Sequence, residues 1–157
     1  MDIVTHAMTG ALVGAIAATK RPQLYPALLT GALASALPDL DAVLHLIDYD
    51  LFVRYHRLFT HNLFALPLIA ALAAAPASAW VRGRFLYFYL IALVSAALHL
   101  GMDLICHCRL LLLYPLSRRP FQLSIIGFSS NWALLSITAA VILVIYLRRR
   151  QWSAEVS

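Results

Sequence analysis

The chain has 157 residues, of which 62% are apolar and only 12% charged, with a formal net charge of +5. Soluble domains run ~45–50% apolar and ~25% charged, so this composition excludes a free-standing soluble fold and a disordered chain, and two cysteines are too few for a disulfide scaffold. The basic residues punctuate apolar runs instead of forming a stripe, which points to membrane loops and away from nucleic acid.

Five apolar segments follow in chain order, at residues 3–19, 23–37, 62–81, 85–105 and 131–147. A spanning helix needs ~17–25 residues, so the last three have the length to cross, whereas the first two are short. Asp2 stands before the first segment where a signal peptide would carry Lys or Arg, so no cleavable leader is expected. The first segment stops at Lys20-Arg21-Pro22 and the second at Pro38. Gly10 with Gly14 and Gly31 with Ser35 are small-xxx-small pairs, which predict a tight hairpin of these two helices. Pro67 and Pro76 fall inside the third segment and predict kinks. The polar, aromatic stretches 39–61 and 109–130 are read as caps over one end of the bundle, and Ser129, Ser130 and Asn131 as an N-cap for the last helix. The expectation is a single all-α domain over residues 1–157, a polytopic membrane bundle of about five helices with a metal site at one end.

The scarce polar residues carry that last point. His6 opens the first segment, Asp39 and Asp41 follow the second, His56 and His61 precede the third, and His99 with Asp103 lie near the end of the fourth. Counting crossings from one face, side A, puts all seven on side A, whichever face is cytoplasmic. Each has a plain reading when taken alone: His6 as interfacial decoration, Pro-Asp-Leu-Asp as a helix stop, His99 with Asp103 as an interhelical hydrogen bond. Their coincidence on one side is what points to a metal. His99 and Asp103, at i and i+4, stack on one helix face, and an intramembrane Asp needs a partner. His56 and His61, five apart, require a turn between them, with Thr60 near the helix start. His45, Asp48 and Asp50 are read as solvated loop residues. In Cys106-His107-Cys108 neighbours two apart point away from each other on a helix, so the motif is left outside the site, His107 being the member best suited to join it.

His nitrogens with Asp oxygens and no thiolate suit Zn, with Mn or Fe as alternatives. Seven candidates exceed the needs of one ion, so one or two ions are expected, a pair lying ~3.5–4 Å apart around a bridging Asp. Asp39 or Asp41 would bridge the ions or take the proton of a bound water. Arg54 and Arg57 beside the histidines and Arg118 in the second cap, next to Arg119, match phosphate oxygens. Above an apolar bundle they imply a phosphate-bearing lipid or other amphiphile as substrate, cleaved by a phosphoesterase. The alternatives are an intramembrane metallopeptidase or amidase, for which no His-Glu-x-x-His is present, and a metal-binding transporter or sensor, for which no repeat is visible. Side B carries Lys20, Arg21, Arg82, Arg84, Arg148, Arg149 and Arg150 against Arg54, Arg57, Arg109, Arg118 and Arg119 on side A. The positive-inside rule then places B in the cytoplasm and the site on the outer, periplasmic side. The sequence sets no oligomeric state.

Met-Asp-Ile-Val-Thr-His, Pro-Asp-Leu-Asp, His-Arg-Leu-Phe-Thr-His and His-Leu-Gly-Met-Asp occur in that order over residues 1–147. In them the chain resembles the YdjM-like family of predicted membrane-bound metal-dependent hydrolases of bacterial inner membranes. It is similar, more distantly, to zinc-dependent phospholipase C and related single-strand nucleases. That resemblance implies ligand roles for His6, Asp39, His61, His99 and Asp103. It also implies later His and Glu ligands, for which this chain offers only His107 and, in the tail, Glu155.

Overall fold

The computed structural model describes residues 2–106, 108–125 and 130–154. Five helices form the body: α1 (Ile3–Ala17), α2 (Leu24–Ala36), α5 (Leu66–Trp80), α6 (Phe85–Ile105) and α7 (Ser130–Ala154). Two short helices, α3 (Leu44–Ile47) and α4 (Tyr49–Tyr55), sit between α2 and α5. No strand occurs among the described residues; the nearest approach is a single antiparallel bridge between Leu110 and Phe121. The expected all-helical bundle is present.

Its interior is built from small side chains. Ala15, Ala27, Ala34, Ala70, Ala74, Ala92 and Ala96 are fully buried, while Leu29, Leu68, Leu72, Leu86, Leu90 and Leu143 are more than half exposed. Water would punish that arrangement; hydrocarbon does not, and in lipid helices associate through close backbone approach at small residues. The α1–α2 hairpin shows the extreme case. A Cβ on Gly10 would lie 2.0 Å from the Gly31 carbonyl oxygen, and one on Gly14 2.0 Å from that of Ala27. Ser35 continues the seam by donating from its hydroxyl to the Ser95 carbonyl at 2.9 Å, which ties α2 to α6. Around this pair α5 packs on α6 and α2, and α7 lies against α1.

Three stretches are long and apolar enough to cross a membrane: Arg21–Ile47, Phe85–Ile105 and Trp132–Ser153. The third apolar segment falls short of its expected length. Asn62 donates to the Leu58 and Phe59 carbonyls and accepts from the Ala65 N–H, so residues 62–65 form a turn and α5 keeps 15 residues. At 1.5 Å per residue that is ~22 Å, against a ~30 Å hydrocarbon core. Pro67 is thereby moved from the predicted interior to the first turn, where its missing N–H is harmless, and only Pro76 lies inside the helix. The second segment errs the other way. It does not stop at Pro38: the backbone tightens into a 3₁₀ stretch, Leu37–Val43, with Pro38 in its first turn, and runs on into α3.

Segment 109–125 folds back over the end of α6. Leu123 and Ser124 donate to the Leu104 carbonyl and Ile125 to that of Ile105, satisfying acceptors the helix end leaves open. Leu110 is buried beneath this cap, in one core with Leu66, Ala70, Ala96 and Leu100. The cap expected over side A is therefore in place. The N-cap role expected of Ser129 lies outside the described residues, as does Glu155.

Candidate metal centre

Four chain segments deliver the polar residues to one point. His6 comes from the first turn of α1, Asp39 from the 3₁₀ stretch, His61 from the turn before α5, and His99 with Asp103 from the last turns of α6. All five are buried, four of them at 1% exposure or less. One ligand atom each from Asp39, His61, His99 and Asp103 lies within 4.8 Å of the other three. Five of the seven side A candidates thus converge at one end of the bundle, while Asp41 and His56 stay outside the group.

The hydrogen bonds around the cluster decide which atoms face inward. The His99 Nδ1–H donates to the Ser35 carbonyl at 2.7 Å, and a carbonyl can only accept. The proton of His99 is thus on Nδ1, and the Nε2 lone pair turns to the centre. For His61 the same result takes two steps. Asp41 Oδ2 accepts from the Thr60 hydroxyl at 2.9 Å, so the Thr60 oxygen accepts from His61 Nδ1–H, also at 2.9 Å. In the neutral ring with its proton on Nδ1, His61 Nε2 would turn a lone pair to the same point. The two Nε2 atoms stand 3.1 Å apart, with Asp39 Oδ1 at 3.2 Å from His61 and 3.7 Å from His99. Asp103 Oδ2 lies 3.6 Å from His61 Nε2 and 4.0 Å from His99 Nε2. The two Nε2 atoms and the two carboxylates thus converge, His61 Nε2 standing at hydrogen-bond distance from Asp39 Oδ1, and the second oxygen of Asp39 is buried with no hydrogen-bond partner. A cation among these atoms, like a proton on an imidazole, would offset the gathered negative charge, and N and O donors in this ratio fit a borderline divalent ion such as Zn.

His6 borders the four. Its Nε2 is 3.1 Å from Asp103 Oδ1, its ring is tilted at 35° to that of His99 with centroids 3.9 Å apart, and its Nδ1 is buried without a hydrogen-bond partner. Asp103 thus touches the four-atom cluster through one oxygen and His6 through the other, the position from which a carboxylate can bridge.

Asp41 and His56 stand one layer further out. His56 Nδ1 meets Asp41 Oδ1 at 2.8 Å, while Oδ2 accepts from the Arg57 backbone N–H and from Thr60. Both oxygens of Asp41 are engaged, and its contact with the cluster runs through Thr60 to His61. Thr60, which the sequence marks only as a residue near a helix start, is thus placed between Asp41 and His61. Its signal is its position directly before His61 and within reach of a Pro-Asp-Leu-Asp carboxylate. Orienting partners of this kind fix the tautomer of a ligand histidine.

Arg57 adopts a left-handed backbone, φ +66°, which turns its side chain inward, and one guanidinium nitrogen lies 3.8 Å from Asp103 Oδ2. Arg54 and Arg118 are exposed, and no contact among the described residues brings either to the cluster. Burial and the nearby Asp103 carboxylate push the Cys108 thiol above its ordinary pKa. Cys106 is half-buried, and His107 lies outside the described residues.

The whole chain, residues 1–157, matches the family described as YdjM inner membrane protein. It is also similar to the uncharacterized protein YfhP of Bacillus subtilis, with 28% identity over 148 residues, covering 90% of this chain and 45% of that protein. The chain thus spans about half the length of the curated relative it matches. No solved structure matches, and the similarity to phospholipase C expected from the motifs is not shown.

Proposed function

Because the chain belongs to the YdjM inner membrane protein family, we propose that it is a membrane-embedded, metal-dependent hydrolase acting on a phosphate-bearing lipid. The observation that carries this is the convergence of Nε2 of His61 and His99 with carboxylate oxygens of Asp39 and Asp103, beside the Arg57 guanidinium. Those four residues would hold the ion, with His6 and Asp103 able to take a second. When bound, such an ion polarises a phosphoryl oxygen and lowers the pKa of water.

The chain's own groups supply the rest. Arg57 presents a planar donor pair to phosphate oxygens at the mouth of the cluster. Asp39 Oδ2, buried without a partner, accepts the proton of the attacking water; Asp41, with both oxygens engaged, orients His61 through Thr60. Depth fits the substrate. His99 and Asp103 lie ~21 and ~27 Å along α6 from its side B end, so in a ~30 Å core the centre sits just beneath the side A headgroups. We place that side in the periplasm on the balance of basic residues.

The test is release of phosphate or a phosphorylated headgroup from a lipid panel by the purified protein in nanodiscs, with and without chelator. Metal-dependent release supports the reading. Cleavage of peptide or amide substrates, or ion flux without hydrolysis, refutes it.

A further inference from the structure

A groove of about 460 Å³ opens beside the cluster. Its walls are Ile3 at the start of α1, Leu40 and Val43 of the 3₁₀ stretch, Leu46 of α3 and Phe52 of α4, with Asp39 among the lining residues. Asp39 therefore belongs to two places at once: its Oδ1 faces the imidazoles, and the residue borders the groove. Phe52 connects them a second time, because its ring stacks on His56 at 4.5 Å and His56 holds Asp41. The outer walls are open: Leu40 and Val43 are each 54% exposed and Leu46 83%. At the side A edge of an apolar bundle, exposed aliphatic walls meet lipid chains.

We infer that one hydrocarbon chain of the substrate lies in this groove while its phosphate meets Arg57 and the cluster, so that the lipid reaches the centre sideways from the side A leaflet. The occupant is a membrane lipid, because apart from Asp39 and His45 the lining is apolar, and Asp39 also belongs to the candidate metal cluster, where the Arg57 guanidinium lies 3.8 Å from Asp103. A soluble phosphate ester would gain nothing from Leu40, Val43 and Leu46. The placement of the headgroup rests on the phosphoesterase reading; the placement of the chain rests on the groove.

The experiment uses the zinc-loaded protein in nanodiscs of digalactosyl diacylglycerol, a phosphate-free bilayer. The probe is a non-hydrolysable diacylglycerol phosphonate with a diazirine on one chain, and the control is the same diacylglycerol without the phosphonate. Crosslinks are mapped by mass spectrometry after illumination. The phosphonate should label Ile3 and residues 40–52 at least ~10-fold above Leu68 and Leu72 on the outer face of α5, a preference corresponding to ~1.4 kcal/mol. Ala42→Trp fills the groove and should remove the excess while zinc content is kept; Leu46→Trp serves if that variant fails to insert. Labelling spread evenly over α5 and the groove overturns the inference even if phosphate release has been shown. Equal enrichment of both probes in the groove upholds the chain site and refutes the phosphate reading.

Discussion

Thr60 sets the state of His61 by a proton it gives away. Its hydroxyl donates to Asp41, leaving its oxygen to accept from His61 Nδ1 and the Nε2 lone pair to face the cluster. Outer partners of this kind contribute ~10–100-fold to metal affinity. Thr60→Val should therefore weaken zinc binding by ~10-fold or more, while Thr60→Ser leaves it near the parent, as read by competition with a chromophoric chelator. Asp103→Ala or His99→Ala should go further and reduce bound metal in elemental analysis; full metal content with full turnover in either would remove the residue from the centre. Arg57 tests a different contact. Lysine keeps the charge but loses the planar fork. Arg57→Lys should retain zinc and membrane insertion and lose at least ~10-fold in turnover, a modest share of the ~10²–10³ that losing a preorganised donor costs. Parental turnover would return Arg57 to the pool of interfacial anchors. Arg54→Lys should be milder, as Arg54 is exposed.

At the level of elements, the α1–α2 seam is the least forgiving surface. Gly10→Ala puts a methyl 2.0 Å from a backbone carbonyl that cannot move without moving the helix. Overpacking costs ~1–3 kcal/mol in ordinary cores, so Gly10→Ala should lower the thermal midpoint in detergent clearly. Gly101→Ala, on α6 with open space where its Cβ would go, should leave the midpoint unchanged or raise it, a gain of ~0.5–1 kcal/mol from helix propensity. Equal effects at the two positions would contradict the seam. The start of α1 is pinned by Asp2, whose carboxylate accepts from the Thr5 N–H at 2.8 Å and the Thr5 hydroxyl at 2.7 Å. Partial burial opposes its ionisation, but the bonds from Thr5 prevail and hold its pKa below 3.8. A depressed carboxylate stabilises above its unfolded pKa and loses that contribution as pH falls through the folded one. Asp2→Ala should thus cost ~1 kcal/mol near neutral pH, and the gap to the parent should close on acidification below about pH 4.

For the whole molecule, α7 supplies the check on parity. Its last turns reach the opposite end from the cluster: Arg148 donates to the Ile16 carbonyl at 2.7 Å, and Arg149 bonds the Tyr25 hydroxyl. The α1–α2 connection and the α7 terminus therefore share one face, and the metal-ligand candidates the other. With Cys106 and Cys108 replaced by serine, Tyr49→Cys should react with an impermeant maleimide in intact cells and Gln151→Cys should not. Labelling of Gln151→Cys alone would put the centre in the cytoplasm.

The five helices of the body, the tight hairpin and the clustering of His6, Asp39, His61, His99 and Asp103 were legible in the sequence because each follows from a local rule. Apolar run length, small-residue spacing and the alternation of sides need no knowledge of packing. What stayed hidden depended on where side chains meet across the fold. Asn62 shortened α5 by taking carbonyls in its own turn, and Pro38 was carried within a helical path by a change of hydrogen-bond pattern; neither shows in hydropathy. Asp39 and Asp41 are two residues apart and chemically alike, so the sequence by itself determined that a Pro-Asp-Leu-Asp carboxylate faces the centre on side A. Only the tertiary structure decided which one. The 3₁₀ turn directs Asp39 at the imidazoles, whereas Asp41 meets His56 and Thr60, and both of its oxygens are taken before they can reach the cluster.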